Sequence, residues 1–339
     1  MSDRHTSFSQ KNMFFLLIFF ILCNSLQASE TVPSKLKINI IGQNNGKGLE
    51  VDLNILTEVI EYHGHTVQKI TEEVDNPLPA DINIFIQHIN SFQLSWAKFN
   101  FFIPNPEWYT QDVLLLNKID LILCRTRQCE KIFKSLGHTT CYIGFTSYDC
   151  YLPKYNKNYS HFVHLSGSSN LKGTGEVFYF WKGKLHLPLL TVVKFFSPYV
   201  SKQPNLQWIP YCLPIDELRI LQNQCGVHLC PSKAEGFGHY IMEAMSTGAV
   251  VVTTNAPPMN EHIRDPRCLV NYVKSEQTYL GISYSIDPMH FEQQIEKIAA
   301  LPAGELAAIG AQNRETYLKK KHEFYKIMGD LLALYSYYR

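Results

Sequence analysis

Two glutamates eight positions apart stand where a loop leads into a helix, in the second half of the 339-residue chain. Glu235 lies in the loop 235–238, which follows an apolar run ending at Pro231, and Glu243 falls within the first two turns of the helix. Glycines in such a loop let backbone N–H groups approach a ligand, and a helix start attracts an anion. A carboxylate in the first turns faces the same crevice and suits a bidentate contact with vicinal hydroxyls, as on a ribose. Glu235, on the loop itself, lies nearer to whatever is attached to that anion.

The composition is that of an ordinary globular protein. It has 45% hydrophobic, 18% charged and 13% aromatic residues, which excludes extended disorder, collagen-like repeats and coiled coil. Lys and Arg total 31 against 30 Asp and Glu, a net charge of +1. No domain-sized basic half exists, so nucleic acid is not expected as a partner. A single long apolar run argues against a polytopic membrane protein.

That apolar run forms the leader of the chain. It covers 13–23, follows Arg4 and Lys11, and precedes a small residue at Ala28. Eleven residues span about 16 Å as a helix, less than the roughly 30 Å hydrocarbon core of a membrane. Residues 1–28 are therefore predicted to be a secretory signal peptide or a membrane anchor, which indicates the secretory pathway or membrane association. A mis-assigned start codon is the alternative and would leave a cytoplasmic protein.

Strands and helices alternate along the rest of the chain. A strand at 37–41, a glycine-rich turn at 42–48 and a helix at 49–63 form the first unit, and the alternation restarts after a linker rich in Pro, Asn, Lys and Tyr at 152–160. Further strands are predicted at 66–70, 82–86, 99–103, 121–124, 141–145, 161–165, 189–194, 227–231 and 249–253, and helices at 175–181, 215–224, 238–247, 288–301 and 303–337. The pattern predicts two α/β domains with parallel sheets, at 35–155 and 160–315, and a closing helix at 316–339.

The run 228–263 resembles the retaining glycosyltransferases of the GT-B fold, family 4 or group 1 type. That family carries Glu-x7-Glu in the context Pro-Ser-x-x-Glu-Gly-Phe-Gly, followed by Glu-Ala-Met-x-x-Gly-x-Val-Val. The matching residues here are Pro231, Ser232, Glu235, Gly236, Phe237, Gly238, Glu243, Ala244, Met245, Gly248, Val250 and Val251. The resemblance implies two Rossmann-like domains facing a cleft and a C-terminal helix that crosses back to the first domain. It also implies sugar transfer from a nucleotide-diphosphate sugar, with retention and without an essential metal.

The resemblance assigns roles to residues of the second domain. Glu235 contacts the sugar and stabilises an oxocarbenium-like state, as a catalytic residue, while Glu243 holds the ribose. Donor binding is also expected of Gly236, Phe237, Gly238 and Glu261, the last matching a family glutamate although Pro257 and Pro258 replace the family's glycine pair.

A second family match lies just after the first strand of the second domain. Lys172, Gly173 and Thr174 correspond to the family's Lys-Gly segment, which implies that they bind the donor diphosphate. The family's arginine is missing, and serines at 166, 168 and 169 occupy its neighbourhood. One cation and a helix start are then left to stabilise the leaving diphosphate.

The first domain is expected to present the acceptor. The resemblance implies an acceptor or phosphate contact at the glycine turn with Gly46 and Gly48, although a plain βα turn would look the same. It also implies an active-site histidine at His88, a second catalytic candidate. Asn105 and Glu107 follow a strand, where ligand-facing groups concentrate in such sheets, and are expected to bind acceptor hydroxyls. An aromatic-rich packed loop is the alternative for this pair.

Several other activities lose support from the sequence. No Asp-x-Asp, Gly-x-Ser-x-Gly, His-Glu-x-x-His or P-loop is present, which disfavours metal-dependent GT-A transferases, hydrolases, zinc proteases and NTPases. No metal and no cofactor beyond the donor are expected. The acceptor is a glycan, a glycolipid or a protein. The alternatives are a glycan-binding protein without turnover and a sugar-nucleotide epimerase. The basic, aromatic stretch 319–338 either docks on a membrane or forms the helix that crosses back.

The cysteines are expected to be structural. Cleavage of the leader would leave eight, including two C-x4-C pairs at Cys124/Cys129 and Cys225/Cys230. Zinc sites prefer tighter knuckles, so buried free thiols are the favoured interpretation.

Overall fold

Two parallel sheets form the centres of two α/β domains. The computed structural model describes residues 34–72, 76–195 and 202–338. The first sheet has the order β2-β1-β3-β4-β5-β6, and every neighbouring pair is parallel. Its strands are β1 (Lys37–Ile41), β2 (Thr66–Ile70), β3 (Ala80–Ile86), β4 (Ala97–Ile103), β5 (Leu121–Cys124) and β6 (Thr140–Tyr142).

Helices α1 (Gly48–Tyr62) and α2 (Arg127–Ser135) belong to this first domain. The apolar side chains of α1 recur at helical spacing and are buried, which explains why this segment folds onto the sheet. Short 3-10 helices at Ser91–Trp96, Pro106–Trp108 and Val113–Lys118 complete the domain. The helix Pro106–Trp108 carries Glu107, at the carboxyl end of β4.

The second domain repeats the plan. Its parallel sheet has the order β12-β11-β10-β7-β8-β9. The strands are β7 (Asn158–Gly167), β8 (Leu189–Lys194), β9 (Leu206–Ile209), β10 (Cys225–Cys230), β11 (Val250–Thr254) and β12 (Leu269–Val270). The helices are α3 (Thr174–Trp181), α4 (Ile215–Gln224), α5 (His239–Ser246) and α6 (Pro288–Ala300).

An antiparallel hairpin was not predicted from the sequence. It consists of β13 (Tyr272–Thr278) and β14 (Gly281–Ile286), and it stands apart from both parallel sheets. Strand β13 is exposed along nearly its whole length, so it lacks the apolar run that marks the other strands. The predicted strand at 141–145 is also corrected, because β6 ends at Tyr142.

Strand order determines where a ligand can bind. In the first sheet β1 lies between β2 and β3, and in the second sheet β7 lies between β8 and β10. Chain direction around the sheet reverses at these points, and the loops that follow the two central strands diverge to leave a crevice. The loop after β7 contains Lys172 and the loop after β10 contains Glu235. The predicted donor residues therefore lie at the switch point of their sheet.

The last helix crosses back to the first domain, as predicted. Helix α7 runs from Ala303 to Ser336 without a break. Near its end, the ring centroid of Tyr335 lies 4.8 Å from those of both Phe99 and Phe101 of β4. The hydroxyl of Ser34 donates to the carbonyl of Ser336 at 2.9 Å. The predicted GT-B fold class, with two Rossmann-like domains and a returning helix, is confirmed.

The predicted leader at 1–28 lies outside the described residues. None of the helices in the three described ranges combines the length and the apolar character that a membrane span requires. The eight cysteines of the same ranges are free thiols, and all of them are buried except the partly exposed Cys141 and the exposed Cys212.

Candidate active site

Both glutamates of the predicted motif face one interdomain cleft. The cleft has a volume of about 660 Å³, and its walls come from both domains. Gly238 ends the loop after β10 with a φ of 102°, a left-handed conformation that favours glycine, and α5 begins at the next residue. This turn leaves Glu235 on the loop and Glu243 on the helix, with both residues lining the cleft.

Glu235 is held by two polar partners in the second domain. Its Oε1 accepts hydrogen bonds from the ammonium of Lys172 and the hydroxyl of Ser232, both at 2.5 Å. The Lys172 ammonium also lies 3.7 Å from the ring centroid of Tyr240. The structure thus brings together Glu235, which was predicted to contact the sugar, and Lys172, which was predicted to bind the diphosphate. A bound diphosphate would compete with Glu235 for Lys172.

Glu243 is restrained by residues that the sequence did not point to. Gln222 donates to its Oε2 at 3.2 Å, Ser147 donates to its Oε1 at 3.4 Å, and Arg219 lies 3.8 Å from its Oε2. The side chain keeps 17% of its accessible surface. The carboxylate is therefore oriented but still reachable by a pair of hydroxyls.

The loop after β7 packs directly on the loop after β10. Gly173 has a φ of 70°, and a Cβ there would collide with the carbonyl oxygen of Pro231. The next hydroxyl, that of Thr174, is bonded at 2.9 Å to the buried His164. Thr174 lines a neighbouring cavity rather than the cleft. The structure therefore brings Lys172 to the predicted donor site, with Gly173 behind it as a packing residue, and does not bring Thr174 there.

The loop after β10 also touches the loop after β4, which carries Asn105 and Glu107. A Cβ on Gly236 would collide with Asn105 and would lie 2.9 Å from the Glu107 Oε1. Phe237 is buried, and its ring packs edge-on against Phe145 at a centroid separation of 5.3 Å. Gly236 thus permits the contact between the two domains, and Phe237 lines the cleft while most of its ring packs in the core beneath it.

The glycine turn of the first domain reaches the cleft in part. Gly48 lines it, whereas Gly46 does not, and the Gly46 N–H donates to the side chain of Asn44 at 3.0 Å. Lys47 between them donates to the hydroxyl of Ser168, across the cleft, at 2.7 Å. The cationic side chain of Lys47 therefore lies beside the loop that carries Lys172. Lys47 was not predicted as a site residue from the sequence.

Two further predicted residues do not line the cleft. His88 lines a separate cavity beside the ends of β1 and β2, and Gln87 lines the cleft in its stead. The cause is the left-handed backbone of Gln87, with a φ of 64°, which turns the next residue away. Glu261 accepts the backbone N–H groups of Arg127 and Gln128 at 2.7 and 2.8 Å. Its carboxylate thus caps α2 of the first domain and is already occupied.

A buried ionic network at the cleft was missed from the sequence. Arg125, directly after β5, donates to both carboxylate oxygens of Asp52 at 2.8 Å, and His239 of the second domain lies 2.9 Å from the same carboxylate. Burial acts to raise the pKa of Asp52, but the attraction of Arg125 and the hydrogen bond from His239 outweigh it, and the pKa is lowered. The network joins the two domains beneath the ligand space.

Asn105 and Glu107, which were predicted to bind the acceptor, line the cleft opposite Glu235. Asn105 donates to Gln87 at 2.8 Å and accepts from Arg125. Glu107 is only 9% exposed, and within the described part of the chain its Oε2 has no hydrogen-bond partner. Burial raises the pKa of Glu107 to about 7, and the charge of Glu235 adds to the rise while Arg125 opposes it.

Metal ligands are not grouped anywhere that the structure describes. Among residues 34–72, 76–195 and 202–338, no cluster of three or more His, Cys, Asp or Glu side chains is arranged to hold a metal ion.

Solved proteins of the GT-B class share this two-domain arrangement. Sucrose-phosphate synthase from Thermosynechococcus elongatus superposes with a TM-score of 0.64 at 12% identity, over 88% of this chain and 98% of that one. The Anabaena protein Alr3699/HepE, solved in complex with UDP and glucose, gives 0.63 at 13% identity, over 88% and 99%. At such identities the similarity establishes the fold.

Sequence comparison finds a family match within part of the second domain. Residues 200–298 match the family model described as Glycosyl transferases group 1. The O-antigen biosynthesis glycosyltransferase WclY of Escherichia coli is 33% identical over 86 residues, which are 25% of this chain and 24% of that relative. The predicted resemblance to group 1 glycosyltransferases is confirmed, whereas the narrower family 4 assignment stays a prediction.

Proposed function

We propose that the chain is a glycosyltransferase that moves a sugar from a nucleotide-diphosphate sugar to an acceptor glycan, lipid or protein. One observation carries the proposal. Glu235, Glu243 and Lys172 converge with the start of α5 on one wall of an interdomain cleft. Two carboxylates suit hydroxyl groups, and a lysine beside a helix start suits a diphosphate. A nucleotide-diphosphate sugar combines these groups in one molecule.

The proposed roles follow from the geometry of each group. Lys172, the N–H groups at the start of α5 and the cross-cleft Lys47 attract the diphosphate and stabilise its growing charge as it leaves. Glu243 holds the ribose hydroxyls. Once the diphosphate takes Lys172, Glu235 is released to contact the transferred sugar and the positive charge that develops on it.

Finer features of the reaction are proposed with the same scheme. The transfer is hexosyl or of a related sugar, proceeds with retention, and needs no metal, since lysines and a helix start supply the charge that a metal gives elsewhere. Asn105 and Glu107 face the acceptor from the first domain. Membrane association, proposed from the leader and from 319–338, remains a prediction, as does action in the secretory pathway.

The experiment uses the full chain and a panel of UDP-glucose, UDP-galactose, UDP-N-acetylglucosamine, ADP-glucose and GDP-mannose. A true donor stabilises the folded chain by about 2.7 kcal/mol at 100 times its Kd, which is seen as a higher melting temperature. Its cleavage releases nucleoside diphosphate. Glu243→Ala should abolish both effects. Glu296→Ala, which changes a half-exposed glutamate on α6, serves as the matched control and should retain them.

The same assay separates the alternatives. A glycan-binding protein without turnover would be stabilised by glycans and release no nucleoside diphosphate. An epimerase would convert one sugar nucleotide into another with no acceptor present and no diphosphate released. Either result would overturn the proposed transferase.

A further inference from the structure

The loop that carries Glu107 is clamped by the hairpin of the opposite domain. The N–H of Leu280, at the hairpin turn, donates to the carbonyl of Pro106 at 3.1 Å. Leu280 also packs against the apolar cluster of the first domain. A Cβ on Gly281 would lie 2.8 Å from the Glu107 Cα, so only glycine fits there without displacing the Glu107 backbone. The position of Glu107 is thus fixed from the second domain.

The same hairpin is tied to the loop that carries Glu235. The N–H of Tyr284 donates to the carbonyl of Lys233 at 2.7 Å, two residues before Glu235. Strand β14 therefore spans the distance between the two loops and sets how closely Glu107 and Glu235 approach each other. A small cavity of about 20 Å³ lies between them, lined by both glutamates and by Gly281. It has room for one water-sized group.

The surroundings of the Glu107 carboxyl suit proton exchange with a hydroxyl group that enters the cleft. It lines the cleft, its Oε1 lies against Gly236, and its buried Oε2 has no partner among the described residues. An entering hydroxyl would supply that partner, and buried polar groups are rarely left without one.

The charged and titratable groups around Glu107 come from several elements. Glu235 of the loop after β10 favours the protonated form, whereas Arg125 after β5 and Lys172 after β7 favour the ionised form. The thiol of Cys129, on α2, lines the small cavity. The hairpin contributes only Gly281 and Ile282 there.

We propose that Glu107 takes the proton from the attacking hydroxyl, and that Leu280 and Gly281 are positioning residues for it. The inference rests on the proposed transferase function. The acceptor O–H bond breaks and its proton goes to Glu107. The acceptor oxygen approaches the anomeric carbon on the face that the diphosphate leaves, so the configuration is retained. It bonds to that carbon while the bond from the carbon to the diphosphate oxygen breaks, and the electron pair leaves with the diphosphate. Glu107 then returns the proton to solvent.

The test measures nucleoside diphosphate release between pH 5.5 and 9 from whichever donor of the panel the wild-type chain cleaves, with water as the small acceptor. Wild-type kcat should rise with pH through about 7 and then level off, because the base must be ionised. Glu107→Gln should lower kcat by about 10²- to 10⁴-fold and abolish this rise. The UDP concentration that gives half of the maximal rise in melting temperature should stay within about twofold of the wild-type value.

A positioning role is tested by Gly281→Ala. This variant should lower kcat and displace the midpoint of the pH profile, while donor KM stays unchanged. Gly304→Ala is the control, because no atom lies within 4 Å of a Cβ added there. If Glu107→Gln does not fold, Glu107→Asp carries the test, and it should retain the rise with pH at a reduced rate.

The outcomes separate this inference from the function on which it rests. Cleavage by Glu107→Gln at a rate within threefold of wild type, with the same pH profile, would overturn the inference and leave the transferase intact. A Glu107→Asp variant whose kcat does not rise with pH would also overturn the inference and leave the transferase intact. A wild-type chain that cleaves no donor and is not stabilised by UDP would overturn the proposed function, and the inference would fall with it.

Discussion

The two walls of the cleft were read from the sequence with very different success. The second-domain wall is built from one continuous run, the loop after β10 and the start of α5, together with Lys172. The first-domain wall collects its charged residues from three separate segments: Lys47 and Asp52 at the start of α1, Glu107 after β4 and Arg125 after β5. Spacing along a chain can reveal groups that share a turn, whereas groups that meet only through the sheet order leave no local pattern.

The largest effect is expected at the Asp52–Arg125 ion pair of the first-domain wall, which was not predicted from the sequence. Arg125 and Asp52 keep only 3% and 2% of their side-chain surface. Asp52→Asn leaves the guanidinium buried without its counter-charge, so unfolding free energy should fall by about 3–5 kcal/mol. Urea denaturation of the full chain measures this. Asp330→Asn, at an exposed ion pair on α7, should change it by less than about 1 kcal/mol. Equal losses in the two variants would show that the network is not a fixed part of this wall.

The second-domain wall should respond in activity rather than stability. Glu235→Gln keeps the shape of the side chain but removes the charge that faces Lys172 and the transferred sugar. Loss of one preorganised electrostatic group costs about 10²- to 10³-fold in kcat. Release of nucleoside diphosphate under saturating donor is the measurement. A change below threefold would remove Glu235 from the reaction and reduce the wall to a nucleotide-binding surface.

Glu107 should make the stability of the first-domain wall depend on pH. Its folded-state pKa of about 7 lies above the value of 4.5 in the unfolded chain. The folded state therefore binds more protons, and this group's contribution is complete below pH 4.5 and is lost as pH rises through 7, by about 3 kcal/mol. Glu107→Gln should flatten the fall in unfolding free energy across this range. An identical pH profile in the variant would contradict the buried, partly protonated carboxyl.

The smallest effect is expected at Lys47, a first-domain residue whose side chain reaches the second-domain wall. Its ammonium meets only the neutral hydroxyl of Ser168 among the contacts described. Lys47→Met should weaken UDP binding by about tenfold, the loss of about 1.4 kcal/mol, and Lys47→Arg should restore most of it. Titration calorimetry with UDP measures both. Unchanged affinity in the Met variant would confine diphosphate binding to the second domain.

Most of the fold was predictable because most elements carry their own local signal. Strands such as β10 are buried throughout, and α1 buries apolar residues at helical spacing, so local patterns sufficed. The hairpin β13–β14 escaped because its exposed polar strand is held by contacts with distant loops. Those contacts exist only once both domains are folded, and no spacing rule reports them.

The site was predictable where a residue belongs to a family motif or directly follows a strand, as Lys172 and Glu107 do, and it was missed where groups meet only through the fold. Asp52 left one usable signal, a carboxylate on the otherwise apolar stripe of α1. His88 was assigned one position away from the residue that lines the cleft, since the left-handed Gln87 reverses the orientation expected after a strand. Glu261 was expected at the donor, but the first-domain helix that it caps is invisible from the second-domain sequence.

A crystal structure of the full chain with UDP would decide whether the second-domain wall binds a nucleotide-diphosphate sugar. We expect the diphosphate at the N–H groups that open α5, Lys172 shifted from Glu235 toward a phosphate, and the ribose hydroxyls on Glu243. UDP bound outside the cleft, or bound with Glu243 still engaged only by Gln222 and Arg219, would contradict the account.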